Sequence, residues 1–327
     1  MSVVSGMSVV CTGGSGSFGN AFVRRCLADG ARRVVVYSRD ELKQSQMAQA
    51  INDPRVRFFI GDVRDQHRLV TAMRGCDLVV HAAAMKRIEV CEAQPDEAIR
   101  TNVLGTLNVA KAAIEAGIWR AVFLSTDKAP AAATLYGATK FCAERLWVQS
   151  NVHAAGRNTS LSAVRYGNVL GSRGSVIDLW KAQGREGKRL TITDQRATRF
   201  WMTLEQAVDL VTLALGTMRG GETFVPKVPS APVLMLANAV AEQYLALHGY
   251  EETGLRASER LHETLISPDE ARMTWDCGDH YEIEPESRTW ADDVPEPDGV
   301  RVASDFSYRS DDNPEQFDVD ALRRLVA

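Results

Sequence analysis

Short apolar segments alternate with helical patterns along the first half of the chain. Five such segments lie at residues 9–11, 34–37, 56–60, 78–80 and 121–124. They are rich in β-branched or aromatic residues and lack polar alternation, which is typical of strands covered on both faces. Between them lie helical patterns, such as Val103, Leu107, Ala110 and Ile114 at spacings of four, three and four. Repeated strand–helix units predict an α/β fold with a doubly wound parallel sheet.

The alternation loosens after about residue 170. A helix is predicted to begin at Thr203, because Thr203 and Gln206 fit a capping box. Residues 282–298 hold seven acidic residues and three prolines, so we predict a solvated loop there. This less regular part is expected to form a second, smaller lobe over the strand ends.

Composition excludes several function classes. The 327 residues are 45% hydrophobic and 24% charged, as in an ordinary globular protein, and the net charge of −4 offers no basic surface for nucleic acid. We predict no membrane span and no signal peptide, because apolar runs stay short of about 18 residues. The six cysteines are scattered along the chain and show no Cys-x-x-Cys spacing. They predict free buried thiols in a reducing cytoplasm and no metal site.

A glycine-rich turn follows the first predicted strand. The stretch from Thr12 to Gly19 has the Gly-x-Gly-x-x-Gly pattern and precedes an amphipathic helix. Such a turn lets backbone N–H groups approach a pyrophosphate, and a purely structural turn is the less favoured alternative. The candidate dinucleotide-binding residues are Gly13, Ser15, Gly16, Ser17, Phe18 and Gly19.

The end of the second predicted strand favours NADP over NAD. Ser38 and Arg39, with Lys43 one helical turn later, suit a 2′-phosphate. Asp40 is the counter-argument, since NAD enzymes place an acid here, but it also fits a helix N-cap. Further cofactor contacts are predicted after the third and fourth strands, where strand-end turns are an equally good explanation. These residues are Asp62, Val63, Ala82 and Ala83.

Tyr136 and Lys140 form a Tyr-x-x-x-Lys motif, whose spacing puts both side chains on one helix face. A nearby ammonium and an oxidised nicotinamide ring lower the pKa of a tyrosine, so Tyr136 is a candidate base. The fifth strand ends in Thr126, Asp127 and Lys128. An acid and a base together suggest an elimination, while a surface ion pair is the alternative.

The chain from Thr12 onward resembles the soluble, inverting UDP-N-acetylglucosamine 4,6-dehydratases, which are extended short-chain dehydrogenase/reductases with a Rossmann fold. Tyr136 favours this group over the membrane-bound retaining dehydratases, which have Met at that position. The chain departs from the family at residues 130–134, without the usual Asn-Pro, and at residues 256–260. The matching stretches are residues 12–19, 37–44, 125–129, 135–140, 164–169, 171–176, 198–201, 220–227 and 261–263.

The resemblance implies a reaction on a UDP-sugar of the pseudaminic acid route. Tyr136 takes the O4 proton while C4 gives hydride to a bound, recycled NADP. Lys128 then removes the C5 proton, Asp127 protonates the leaving O6, hydride returns to C6, and C5 is reprotonated with inversion. Lys140 orients the cofactor ribose and lowers the Tyr136 pKa, and Thr126 steadies O4.

The resemblance also implies substrate contacts and an assembly. We expect a cytoplasmic homo-oligomer, dimer or larger, that binds neither nucleic acid nor membrane. The alternatives are a nucleotide-sugar 4-epimerase, a 5,6-dehydratase, or an NADP sensor without turnover. We expect an NADP-binding domain of residues 1–170 with about 196–225, and a nucleotide-sugar lobe of about 171–195 and 226–327. The predicted substrate-binding residues are Lys86, Tyr136, Asn168, Arg199, Arg256, Glu259 and Tyr308.

Overall fold

The computed structural model describes residues 2–172, 174–243, 249–256, 258–291 and 294–326. Arg173 of the matched stretch 171–176 and Ala257 of the departing stretch 256–260 lie outside the described residues. Within the described ranges, no helix has the length and apolar character needed to cross a membrane.

The chain alternates strands and helices as far as β6 and then changes to short strands. The described strands are β1 (Ser8–Thr12), β2 (Arg33–Ser38), β3 (Val56–Ile60), β4 (Leu78–His81), β5 (Arg120–Leu124), β6 (Ser160–Val164), β7 (Asn168–Val169), β8 (Leu190–Ile192), β9 (Thr198–Met202), β10 (Thr223–Pro226), β11 (Ser230–Pro232), β12 (Tyr250–Glu252), β13 (Thr264–Ile266), β14 (Thr274–Asp276), β15 (His280–Ile283), β16 (Val300–Arg301) and β17 (Tyr308–Arg309).

The described α-helices are α1 (Ser17–Ala28), α2 (Glu41–Ile51), α3 (Gln66–Met73), α4 (Ile88–Ala93), α5 (Pro95–Ala98), α6 (Gly105–Ala116), α7 (Leu135–Gln149), α8 (Asn151–Ala154), α9 (Val176–Arg185), α10 (Leu204–Thr217), α11 (Val233–Gln243) and α12 (Val319–Val326). A π-helical segment, Ile99–Leu104, joins α5 to α6, and a 3₁₀ helix covers Pro268–Met273. The predicted capping box of Thr203 and Gln206 is confirmed at the start of α10.

The predicted doubly wound parallel sheet is confirmed. Its strands lie in the order β3-β2-β1-β4-β5-β6, and every neighbouring pair is parallel. All residues of β1 and β4 are buried, because apolar clusters pack against both faces of the sheet. The order reverses between β1 and β4, where the carboxyl ends of the strands leave a crevice for a ligand.

The large sheet continues into the second half of the chain. Strand β10 adds in parallel to β6, and β15, β14 and β16 follow in antiparallel order. The prediction that residues 282–298 form only a solvated loop is therefore wrong at its start, where Glu282 lies within buried β15. Glu282 can be buried there because Arg219 donates to its carboxylate at 2.6 Å.

Shorter strands build the region around the carboxyl edge of the large sheet. Strand β9 lies between β7 and β11, β12 pairs with β8, and β13 pairs with β17. An apolar cluster centred on Trp180, Trp201 and Leu236 packs α9 and α11 in this region. The two-domain division stays a prediction, although strands β14 to β16 come from the part assigned to the lobe.

All six cysteines are free thiols. Burial is as predicted for Cys11, Cys26, Cys76 and Cys91, whereas Cys142 is exposed and Cys277 is half-buried.

A buried arginine joins three parts of the fold. Arg165 follows β6 and donates to Glu144 on α7, to both carboxylate oxygens of Glu270 at 2.8 and 3.0 Å, and to the Leu265 carbonyl at 2.8 Å. Its side chain is 1% exposed, so water contributes little to solvating these charges. This network fixes α7 and the 3₁₀ helix against the end of the sheet.

We predict that Arg165→Met lowers the free energy of unfolding by about 3–5 kcal/mol, because two buried carboxylates lose their counter-charge. Urea denaturation followed by circular dichroism measures the change. Arg323→Met is the matched control, since the Arg323–Glu242 pair is about half exposed and contributes little. An Arg165→Met midpoint as close to wild type as that of the control would contradict the prediction.

Candidate active site

A cavity of about 660 Å³ opens at the carboxyl edge of the parallel sheet. It brings together most of the predicted site residues from five strand ends and from α7. The predicted residues that line it are Gly13, Ser15, Gly16, Ser17, Phe18, Gly19, Ser38, Arg39, Lys43, Val63, Ala82, Ala83, Lys86, Thr126, Asp127, Lys128, Tyr136, Lys140 and Asn168.

The turn between β1 and α1 requires its glycines. Gly13 has a φ of +69°, and a Cβ there would lie 2.8–2.9 Å from the backbone of Ala82 and Ala83. A Cβ on Gly19 would lie 2.3–2.5 Å from Gly14. Gly16 is the N-cap of α1 and provides no side-chain cap, so the helix presents its first N–H groups toward the cavity. This arrangement fits the pyrophosphate of a dinucleotide.

The end of β2 presents cations and a hydroxyl to the same cavity. Asp40 is confirmed as the N-cap of α2, because its carboxylate accepts from the Lys43 backbone N–H at 2.9 Å and lies 2.6 Å from Lys43 Nζ. Arg39 lies 3.5 Å from the Asp62 carboxylate. The hydroxyls of Ser15 and Ser38 are 2.9 Å apart. Arg39 and Lys43 therefore lie at the position expected for a ribose phosphate, each paired with a carboxylate.

Asp62 does not line the cavity with its neighbour Val63. Its carboxylate pairs with Arg64 at 2.7 Å. Although partial burial raises the pKa of Asp62, Arg64 and Arg39 lower it below its usual value on balance. Its backbone carbonyl accepts from the Tyr37 hydroxyl at 2.8 Å. The predicted cofactor contact of Asp62 remains a prediction.

Helix α7 places Tyr136 and Lys140 on the cavity, as the spacing of the motif predicts. Thr134 caps the helix by accepting from the Gly137 N–H at 3.0 Å. Lys140 donates to the Leu124 carbonyl at 2.5 Å and lies 3.8 Å from the centre of the Phe123 ring. Burial lowers the pKa of Lys140 to about 7.

Burial raises the pKa of Tyr136 to about 12, against smaller lowering effects of Lys128 and a hydrogen bond with Thr126. The expected effect of Lys140 on the Tyr136 pKa stays a prediction. Tyr136 lies in the cavity as a neutral phenol at pH 7, and a further positive charge is needed to make it a base.

Asp127 and Lys128 form a pair inside the cavity. Lys128 Nζ and the Thr126 hydroxyl both donate to Asp127 Oδ1, at 3.0 and 2.8 Å. Asp127 Oδ2 is buried without a hydrogen-bond partner among the described residues. Burial raises the pKa of Asp127, which suits a proton donor. The Asp127 side chain is 1% exposed, so this is not the surface ion pair considered as the alternative.

Glu263 completes a charge cluster that sequence reasoning missed. Its Oε1 lies 3.3 Å from Lys128 Nζ and 3.4 Å from Arg199 Nε. Arg199 also contacts Glu259, with Nη2 to Oε1 at 3.0 Å. Glu263 belongs to the matched stretch 261–263, but nothing in its local pattern indicates that it meets Lys128.

Four predicted substrate-binding residues lie outside the cavity lining: Arg199, Arg256, Glu259 and Tyr308. Arg256 is exposed, and its backbone N–H donates to Glu259 Oε2 at 3.3 Å. The buried Tyr308 hydroxyl bonds both the N–H and the carbonyl of Val228, at 3.0 and 2.9 Å. Their roles toward substrate stay predictions.

Comparisons with known proteins identify the family of the chain. The family model of polysaccharide biosynthesis proteins matches residues 9–285. The UDP-N-acetylglucosamine 4,6-dehydratase (inverting) of Campylobacter jejuni is 42% identical over 315 residues, 94% of this chain and 93% of that protein. The UDP-glucose 4-epimerase of Rickettsia rickettsii is 40% identical over 285 residues, 86% and 84% of the two chains. The X-ray structure of Pen from Bacillus thuringiensis has a TM-score of 0.91 and 35% identity, covering 99% of this chain and 98% of its own.

We predict that Gly13→Ala weakens binding of a nicotinamide dinucleotide by about tenfold or more. The added methyl group would collide with the backbone of Ala82 and Ala83 and shift the turn whose N–H groups face the cavity. Fluorescence titration with the reduced dinucleotide measures the affinity.

Gly117→Ala is the matched control for this prediction. Gly117 has a φ of +71° at the end of α6, and no atom lies within 4 Å of its added Cβ. It introduces the same backbone strain without the collision, so it should keep wild-type dinucleotide affinity. Equal affinities of the two variants would refute the role assigned to Gly13.

Proposed function

This chain belongs to the family of polysaccharide biosynthesis proteins, and from that membership we propose that it is a UDP-N-acetylglucosamine 4,6-dehydratase that inverts C5. The observation that carries the proposal is the buried Asp127–Lys128 pair beside Tyr136. An oxidation at C4 alone needs one base, whereas loss of water across C5 and C6 needs a second base and an acid. The cavity contains a candidate for each of these three groups.

The residues of the glycine turn and α7 fit a nicotinamide dinucleotide, which supplies a reversible hydride acceptor when bound. Tyr136 takes the proton from the sugar O4 as a phenolate, which the positive charge of the oxidised dinucleotide would support. The resulting 4-ketone makes the C5 hydrogen acidic, and Lys128 as a free amine accepts it. Asp127 as a carboxylic acid gives its proton to O6, which leaves as water. The hydride taken from C4 would be returned to C6, and C5 then receives a proton from the opposite face.

We propose the following binding regions. Residues 1–170 with about 196–225 hold the cofactor, and about 171–195 with 226–327 hold the nucleotide sugar. Lys86 and Asn168, which line the cavity, are proposed to contact the sugar. Arg199 and Arg256 remain the proposed diphosphate contacts, which for Arg199 means sharing its guanidinium with Glu259 and Glu263. The protein is proposed to be a homo-oligomer, which sedimentation velocity would measure.

The cofactor is proposed to be NADP. The Asp40 carboxylate caps α2 and pairs with Lys43 Nζ, so Arg39 and Ser38, which line the cavity, are the proposed first contacts of a 2′-phosphate. Lys43 would contact it by sharing its ammonium group with Asp40. A carboxylate free to accept from a ribose hydroxyl would have favoured NAD.

The decisive experiment is incubation with UDP-N-acetylglucosamine in D₂O, followed by proton NMR. The proposal predicts a 6-methyl signal, deuterium at C5 and an inverted C5 configuration. Conversion of UDP-glucose to a C4 epimer that keeps its 6-hydroxyl would instead support the second candidate, a UDP-glucose 4-epimerase. The 40% identical Rickettsia relative is the reason for testing that candidate.

We predict that Lys128→Ala spares C4 oxidation and blocks deuterium incorporation at C5. The reduced dinucleotide should therefore accumulate after mixing with substrate, and its absorbance reports it. Tyr136→Phe is the matched comparison, because it removes the base of the first step and should produce no reduced dinucleotide. If Lys128→Ala exchanged C5 at the parent rate, Lys128 would not be the C5 base.

We predict that Arg39→Gln raises the Kd for NADP by about 10- to 100-fold, the usual contribution of a charge-assisted contact. The Kd for NAD should change little. Arg64→Gln is the control, because Arg64 pairs with the same Asp62 but does not line the cavity. Equal loss of NADP and NAD affinity in Arg39→Gln would argue against a 2′-phosphate contact.

A further inference from the structure

Lys128 is surrounded by charged groups from four parts of the chain. Asp127 lies beside it on the same loop, and Tyr136 faces it from α7. Glu263 approaches from the segment before β13, and Arg199 acts from β9. Lys128 is thus bonded to two carboxylates, at 3.0 Å for Asp127 and 3.3 Å for Glu263.

The surroundings of the Asp127 and Glu263 carboxylates suit them to different roles. Asp127 Oδ1 already accepts from Thr126, and its Oδ2 remains buried without a partner among the described residues. The Glu263 carboxylate instead lies between two cations, Lys128 and Arg199. Asp127 is therefore suited to donate a proton to a substrate, and Glu263 is suited to stay ionised.

Glu263 is held in place independently of Lys128. Its backbone N–H donates to the Ser310 hydroxyl at 2.9 Å, and its carbonyl accepts from the Ser310 N–H at 3.0 Å. The residue is 4% exposed. Its carboxylate consequently forms a fixed counter-charge at the wall of the site.

We propose that Glu263 is a positioning residue for the dehydration half of the reaction: its carboxylate, fixed by Arg199, anchors the Lys128 ammonium group and sets the pH at which Lys128 becomes a free amine. The inference rests on the proposed function, because it concerns the base of the C5 step. Glu263 itself touches neither the sugar nor the cofactor in this role.

The electrostatics of Lys128 give the sign of the effect. Burial by itself would lower the pKa of Lys128, but the Asp127 and Glu263 carboxylates raise it above its ordinary value. As an ammonium, Lys128 cannot accept the C5 proton. It first releases one proton to solvent, and the resulting amine then takes the proton from C5. Activity should therefore rise with pH as Lys128 loses its proton. Glu263 keeps this rising limb of the pH–activity curve at high pH, because its negative charge favours the ammonium form of Lys128.

The test is Glu263→Gln, whose amide oxygen can still accept from Lys128 Nζ but carries no charge. The measurement is kcat as a function of pH, with UDP-N-acetylglucosamine deuterated at C5 as the substrate. The deuterium slows removal of the C5 hydrogen, so that this step limits turnover. The rising limb should move to lower pH by about 1–3 units, the usual effect of one charge at this distance. An unmoved limb would overturn the inference.

Glu259→Gln is the matched control, since it removes a carboxylate from the other side of Arg199 without a contact to Lys128. The rising limb of its kcat–pH curve should keep the wild-type position, even if the KM for substrate changes. If both variants moved the limb equally, the effect would come from Arg199 or from net charge and the inference would fail. If the wild-type enzyme gave no dehydrated product, the proposed function itself would fail, so the two failures are distinguishable.

Discussion

The buried guanidinium of Arg165 is the constraint on which the site depends. Two carboxylates that are far apart along the chain, Glu144 and Glu270, have to meet this one charge at the end of β6. Glu144 lies one helical turn after Lys140 on α7, and its charge opposes the effect of burial on the Lys140 pKa. The ion network that orients α7 therefore also acts on the electrostatics of Lys140, one of the residues that line the cavity.

Burial shifts the pKa values of the acidic and basic groups around the cavity in opposite directions. It raises the pKa of Tyr136 and of Asp127, and it lowers that of Lys140. A carboxyl group with a raised pKa and a tyrosine that needs a nearby positive charge suit a site in which proton transfers must follow an order. Lys128 is the exception, because its two carboxylate neighbours outweigh its burial.

Features encoded by nearby residues could be predicted from the sequence. The parallel strands, the glycine turn, the Asp40 cap and the Tyr136/Lys140 face all follow from short spacings. Glu263 could not be assigned, because its meeting with Lys128 depends on how β13 packs against the sheet edge. For the same reason Glu282 was predicted to be solvated, since its partner Arg219 is distant in sequence.

The cap on α2 links cofactor choice to folding. Because Asp40 holds the first turn of α2, it cannot move to a ribose hydroxyl without leaving that helix end uncapped, a loss of about 0.5–2 kcal/mol. An evolutionary or engineered change of cofactor preference at this site would thus need a second substitution that restores the cap. Removing Arg39 alone would weaken the binding of NADP without creating a good site for NAD.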